Sequence, residues 1–193
     1  MMMNVDVENL RSWIGREQTD SEVLSPTLVR QFNATFDRTS GTNAGDEAPL
    51  LIHLCLAQPI APMSGLGRDG HPALGGFLPP VPLPRRMWAG GAFEFHGPIR
   101  IGEEVTRRST ITDVQLKQGN SGALCFVTVQ HQVTSNGRSA LSERQDIVYR
   151  DIPSTGQSSA ARNSPIARAG VNTRPMVPSP TLLFRYSALT FNG

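Results

Sequence analysis

Between Leu78 and Phe95 the chain reads LPPVPLPRRMWAGGAFEF, and this stretch constrains the fold more than any other. Pro79, Pro80, Pro82 and Pro84 lack N–H donors and fix φ, which excludes a regular helix and a central strand. The segment is expected to be extended and stiff, with little conformational entropy left to lose. It runs into Arg85-Arg86-Met87-Trp88 and then Gly90-Gly91, a stiff lip leading into a first strand, Trp88–Phe95, with Phe93 and Phe95 on one face. Such a lip suits the handling of a long thin ligand, and equally suits plain packing.

Downstream the pattern is β throughout. Glu104–Gln118 alternates in part, through Val105, Arg107, Ser109, Ile111 and Asp113. Gly119-Asn120-Ser121-Gly122 is a turn, and Ala123–Thr134 puts Cys125, Val127, Val129 and Val133 on one side. Asn136-Gly137 is a strong hairpin signal, and Leu141–Arg150 closes a meander with Ile147 and Tyr149 facing together. Gly97–Gly102 reads as a turn between the first two of these four strands.

The N-terminal part carries helix. Met1–Leu10 reads as a loose leader, Leu10–Gly15 as a first strand or a docking turn, and Ser21–Ser25 as polar. Ser25 is a good N-cap and Pro26 fits the first helical position. Leu28, Val29, Phe32 and Phe36 then recur at helical spacing. The even apolar run Leu50–Ala57 fits a buried strand or a helix; Pro49 before it and Pro59 after it favour a helix, with His53 as a core histidine. Helix followed by sequential strands gives an α+β layout, an antiparallel sheet with helix on one face.

Composition excludes several function classes. The net charge of +2 gives no pull toward nucleic acid, and no apolar run approaches the ~18 residues of a membrane helix. Cys55 and Cys125 sit in apolar runs and read as buried thiols. No CxxC occurs and the histidines are scattered, so no metal site is expected. The glycines around Ser64–His71 do not form a dinucleotide fingerprint, and no cofactor is implied. A cytoplasmic protein, bound neither to membrane nor to nucleic acid, is the expectation. Glu94 with His96, and Asp69 with His71, read as surface pairs, because nothing else polar converges on them in the sequence.

Beyond Asp151 the character changes. Residues 152–180 are rich in Ser and Pro, hold no acidic residue, and read as a linker. An apolar pattern restarts at 181–193, TLLFRYSALTFNG. The expected organisation is one domain at 1–151, a linker at 152–180, and the opening element of another unit at 181–193.

The run GGFLPPVPLPRRMWAGG, with Pro98, Gly102, Glu103 and the strand Thr106–Thr110, resembles the MaoC-like, double hot-dog acyl-thioester dehydratases. The branch holding mesaconyl- and itaconyl-CoA hydratases and the type 2 hydroxyacyl-thioester dehydratases is the most similar. The resemblance implies a hot-dog fold, a sheet wrapped on a helix, with an acyl-CoA or acyl-carrier thioester between two such units. It implies pairing with a second hot-dog or a homo-oligomer. It also implies hydratase or dehydratase chemistry at a 2-enoyl or 3-hydroxyacyl thioester. In FRYSALTFNG, Asn192 matches the Asn of the family's hydratase motif, while Thr190 stands where an Asp is usual. The motif's His would lie past Gly193, so the resemblance makes this chain the non-catalytic N-terminal half, or else a thioester-binding or dimerisation module serving a separate catalytic hot-dog. Arg85, Arg86, Met87, Trp88, Gly90 and Gly91 are the candidate substrate contacts: guanidinium groups pair with CoA phosphates, and an indole stacks on adenine or lines an acyl slot. A solvated arginine rim with Trp88 in the core is the competing reading of the same residues.

Overall fold

The computed structural model describes residues 5–67, 69–119, 122–152, 170–171 and 174–192. The chain opens with a one-turn helix, α1 (Val7–Arg11), whose N-cap Asp6 accepts the Asn9 N–H. Leu10 is buried, so the expected loose leader is ordered from here on. Leu10–Gly15 is a docking turn, not a strand: the Trp13 indole donates to the Gly76 carbonyl at 3.2 Å. The first strand, β1 (Glu17–Val23), falls partly where the sequence reads only as polar.

Helix α2 (Pro26–Thr35) begins as expected, with the Ser25 hydroxyl accepting the Leu28 N–H. Its buried face holds Val29 and Phe32, each worth about 1.5–3 kcal/mol relative to exposure. Leu50–Ala57 does not form the expected helix. It makes one 3-10 turn, Ile52–Cys55, bounded by Leu51 at φ 71° and Ala57 at φ 50°. Both residues sit in the left-handed region, which an α-helix cannot pass through.

Four strands follow: β2 (Arg85–Phe95), β3 (Glu104–Gly119), β4 (Gly122–Ser135) and β5 (Arg138–Arg150). Asn136 and Gly137, both at positive φ, join β4 to β5 in the expected tight hairpin. The five strands form one antiparallel sheet in the order β1-β3-β4-β5-β2. β2 therefore pairs with β5, not with β3. The expected turn at Gly97–Gly102 is instead a connection across the sheet, anchored by buried Ile99 and Ile101.

One sheet face carries the core, in two apolar clusters. The first gathers Val29 and Phe32 of α2 with Ile52, Ile101, Val105 and Leu141. The second joins Leu10 with Val81 and Leu83 of the proline segment and Ile111, Val127 and Tyr149 of the sheet. The proline stretch thus packs as a lid on one half of the sheet and α2 on the other. Between them a polar row crosses the same face, with Ser109, His131 and Glu143 in register on β3, β4 and β5.

Of the expected linker, residues 153–169 and 172–173 lie outside the described residues. The last element, α3 (Pro180–Leu189), is capped by the Ser179 hydroxyl and lies on α2. The Tyr186 and Phe36 rings meet edge to face at 5.5 Å, and the Arg174 guanidinium donates to the Phe36 carbonyl at the C-terminal end of α2. No helix among the described residues is long and apolar enough to cross a membrane.

Candidate functional site

β2 is an edge strand, and large apolar groups stand along it in solvent: Met87, Trp88, Phe93 and Phe95 are 42, 50, 37 and 44% exposed. Among the described residues nothing pairs with this edge, and an exposed edge with such side chains has the character of an interaction surface. The six candidate contact residues all lie on this strand, and the structure sorts them. Arg85 is exposed at its start. Arg86 turns inward: its side chain is 11% exposed and its guanidinium lies 3.0 Å from the Asp69 carboxylate. Tyr149 is buried beneath; burial pushes its hydroxyl up to about 12, with the positive charge of Arg86 opposing. Asp69 is therefore no simple surface group, because it ties the segment ahead of the proline stretch to β2. His71 stays beside Asp69, its ring Nδ1 3.0 Å from the Asp69 carbonyl oxygen.

Gly90 and Gly91 have a packing cause. The strand is irregular between Trp88 and Gly90, and the indole folds back to donate to the Gly90 carbonyl at 2.6 Å. A Cβ on Gly91 would lie 2.6 Å from the Arg144 carbonyl oxygen and 3.3 Å from the Trp88 nitrogen. Glycine here lets Trp88 lie flat over the strand. Glu94 and His96 are exposed, with His96 Nε2 2.9 Å from the Ser142 hydroxyl. Asn192 is exposed just after α3, and its N–H donates to the Ser187 carbonyl at 2.9 Å.

The sequence reading did not find the polar row. His53, from the 3-10 turn, hangs over it: Nε2 is 3.4 Å from Glu143 Oε2, with side chains 2% and 4% exposed. Neither ring nitrogen of His53 has an aligned hydrogen bond. The ring also meets Phe93 edge to face at 5.6 Å. His131 is held by the Ser109 hydroxyl at 2.8 Å and by Gln145 at 3.2 Å. Burial holds the His131 imidazole below its ordinary value, against the pull of the nearby Glu143 carboxylate, so it is neutral at neutral pH. Beyond it, the Arg107 guanidinium donates to the Ala57 carbonyl and the Glu22 carboxylate accepts the Ala57 N–H. Burial pulls Arg107 down too, with Asp20 and Glu143 opposing. These polar groups clamp the strained turn that carries His53. A signal was available: His131 is a polar residue in phase with Val127, Val129 and Val133, and Glu143 is in phase with Leu141 and Ile147. Among the described residues no cluster of three or more His, Cys, Asp or Glu is placed to hold a metal ion.

Comparisons with known proteins agree with the geometry. Residues 50–193 match the family described as hydroxyacyl-thioester dehydratase type 2. The chain is 42% identical over 184 residues to a mesaconyl-C(4)-CoA hydratase of Chloroflexus aurantiacus, covering 94% of this chain. It spans 65% of the length of that relative. Among solved structures, one chain of the ChsH1–ChsH2 complex of Mycobacterium tuberculosis matches with a TM-score of 0.54 at 11% identity, over 82% of this chain and 96% of that one. HtdX of Mycobacterium tuberculosis matches with a TM-score of 0.53 at 16% identity, over 91% of this chain and 61% of that one. A MaoC-like dehydratase of Phytophthora capsici gives 0.52 at 17%, over 96% and 64%. At these identities the structures speak to the fold alone, and that fold is the hot-dog. With residues 50–193 of this chain matched by the family and a relative 42% identical to it, the chain belongs to the type 2 hydroxyacyl-thioester dehydratases, within the MaoC-like hot-dog group.

Proposed function

We propose that this chain is the ligand-wall lobe of a two-lobed hydratase or dehydratase acting on 2-enoyl and 3-hydroxyacyl thioesters of CoA or a carrier protein. The observation that carries the reading is β2, an unpaired edge with Met87, Trp88, Phe93 and Phe95 in solvent and exposed Arg85 at its head. The thioester lies along this rim: Arg85 pairs with phosphate, and Trp88 stacks on adenine or lines the acyl slot. Arg86 supports the rim through Asp69 and does not reach the ligand. Gly90 and Gly91 serve by letting the indole lie flat.

Hydration of a thioester needs a base to activate water, an acid for the α-carbon, and N–H donors for the enolate-like oxygen. On this reading the acid–base set sits on a second hot-dog lobe that covers β2, and Asn192 belongs to the approach to that lobe. The ChsH1–ChsH2 complex supports pairing of this kind. The name of the Chloroflexus aurantiacus relative makes mesaconyl-type CoA thioesters the first substrates to try.

The test is a titration of Trp88 fluorescence, read in a Trp13→Phe background because the chain holds two tryptophans, with crotonyl-CoA and mesaconyl-type CoA thioesters. Saturable quenching is expected, and Arg85→Ala should weaken it by about tenfold, the worth of one hydrogen bond to a charged group. Unchanged affinity in both Arg85→Ala and Trp88→Ala, measured by calorimetry because the second variant lacks the reporter, would place the ligand elsewhere.

A further inference from the structure

The sheet face turned away from the core carries a patch that the function proposed above touches only at Arg85. Register partners in an antiparallel sheet share a face. At one end of the sheet Arg85 of β2, Arg150 of β5, Leu124 of β4 and Lys117 of β3 therefore form one row. Two residues further along the strands, Met87, Val148, Phe126 and Gln115 form the next row on the same side. The row between them contains Tyr149 and Cys125, both fully buried, so these two rows lie on the outer face. Arg85, Met87, Gln115 and Lys117 are exposed and the rest half-buried. The Lys117 ammonium stands 4.9 Å from the centre of the Phe126 ring, which joins the two rows.

The charge of this patch is unanswered. Arg85 and Arg150 stand directly opposite each other, where like charges repel and cost stability. The chain holds sixteen acidic residues, all of them among the described ones, and none makes an ion pair with Arg85, Arg150 or Lys117. Asp151, next to Arg150 in the chain, turns its carboxylate to the Ile152 N–H at 2.8 Å. Elsewhere on the sheet the arginines are matched: Arg108 by Glu17, Arg138 by Glu103 and Arg144 by Asp146. Three unmatched cations in one row, beside a row of apolar side chains, call for a partner that is acidic and apolar at once.

The spacing selects a helix. With strands about 4.8 Å apart, Arg85 lies about 5 Å from Arg150 and about 14 Å from Lys117. Carboxylates at i, i+4 and i+11 share one face of a helix at about 6 and 16 Å, and flexible side chains take up the difference. A polynucleotide matches poorly, because three cations neutralise few phosphates and the apolar row is wasted on it. We propose that this outer face docks the acidic amphipathic helix of a partner protein, with its carboxylates on Arg85, Arg150 and Lys117 and its apolar stripe on Met87, Val148 and Phe126. The surface rests on the sheet register and the unmatched charge, so it stands or falls apart from the function proposed above.

The test uses the full chain and a stapled helical peptide with Glu at i, i+4 and i+11 and Leu at i+3 and i+10, followed by the backbone ¹H–¹⁵N resonances. A second peptide carries Gln in place of each Glu. The Glu peptide should move the Phe126 and Val148 signals and leave those of β1 unmoved. It should bind about tenfold more tightly than the Gln peptide, the sum of three exposed ion pairs. That preference should shrink as salt rises from about 50 to about 300 mM. Lys117→Glu combined with Arg150→Glu should erase it, while Arg30→Glu, an exposed cation on α2, should leave it intact. Equal affinities for the two peptides, or shifts that map to Trp88 or α3 instead, would overturn the surface. Tighter binding of an oligothymidylate than of the Glu peptide would overturn it in favour of nucleic acid. The wild-type comparison of the two peptides needs no variant, so a misfolded double charge reversal leaves the test intact. CoA thioesters that quench Trp88 in a chain indifferent to the Glu peptide would remove the surface and spare the function. A chain that takes the Glu peptide on this face and binds no CoA thioester would spare the surface and remove the function.

Discussion

Breaking the His53–Glu143 pair should destabilise the protein more than removing it whole. The two side chains are 2% and 4% exposed and 3.4 Å apart, with Phe93 against the ring. His53→Leu leaves Glu143 as a buried carboxylate without its facing imidazole. A buried carboxylate left without its facing partner costs about 3–5 kcal/mol. Glu143→Leu leaves the buried imidazole without its facing carboxylate, at about 1–3 kcal/mol. The double Leu variant strands neither group and buries added apolar surface, so its loss should fall below that of His53→Leu alone. The cycle should therefore show a coupling of about 2 kcal/mol or more. In urea, with a slope of roughly 1–3 kcal/mol/M, a ~3 kcal/mol loss lowers the midpoint by about 1–3 M. Midpoint shifts of the single variants that simply add in the double would refute the pairing.

Other consequences are as direct. Gly91→Val should cost about 1–3 kcal/mol, because its Cβ meets the Arg144 carbonyl at 2.6 Å, and should shift Trp88 emission as the indole is displaced; an unaltered melting curve and spectrum would contradict the packing. Burial pushes the Cys55 thiol up to about 12 and Cys125 to about 11, so neither should react with a disulfide reagent at pH 8 until the chain unfolds. Fast labelling of the native protein would show the core to be open. The Glu103 carboxyl is held below its ordinary value, first by the Ser135 hydroxyl and then by Arg138. A depressed carboxylate stabilises above its unfolded value near 4.5 and loses that contribution as pH falls through the lower folded value. Ser135→Ala should therefore raise the midpoint of acid unfolding and matter less below it; an unchanged acid limb would count against the linkage.

Much of this architecture can be read from local chemistry. The α2 start, the Asn136-Gly137 hairpin and the extents of β3 and β4 to within a residue follow from caps, turns and alternation that need no tertiary context, whereas β5 starts at Arg138, three residues before the expected Leu141. β1 escapes because its core-facing residues, Gln18, Asp20 and Glu22, are polar; they face the polar row, and Glu22 holds the Ala57 N–H. The pairing of β2 with β5 depends on where the Gly97–Gly102 connection crosses, and no residue in it states a direction. Leu50–Ala57 looks helical by composition, and only the left-handed Leu51 and Ala57 show otherwise. At the site, the rim residues are legible as a group, but their division of labour is not. Arg86 turns inward because Asp69, seventeen positions earlier by sequence number, comes back to meet it. The histidine most enclosed in the core reads as inert until Glu143 is seen across the row.

The central claim is that this chain supplies a thioester wall while the proton-moving groups lie on another lobe. The most direct measurement is turnover of crotonyl-CoA and mesaconyl-type CoA by the purified 193-residue chain under conditions where Trp88 quenching shows it saturated. Binding with hydration at or near the uncatalysed rate is the predicted result. Sustained turnover by this chain alone would contradict it.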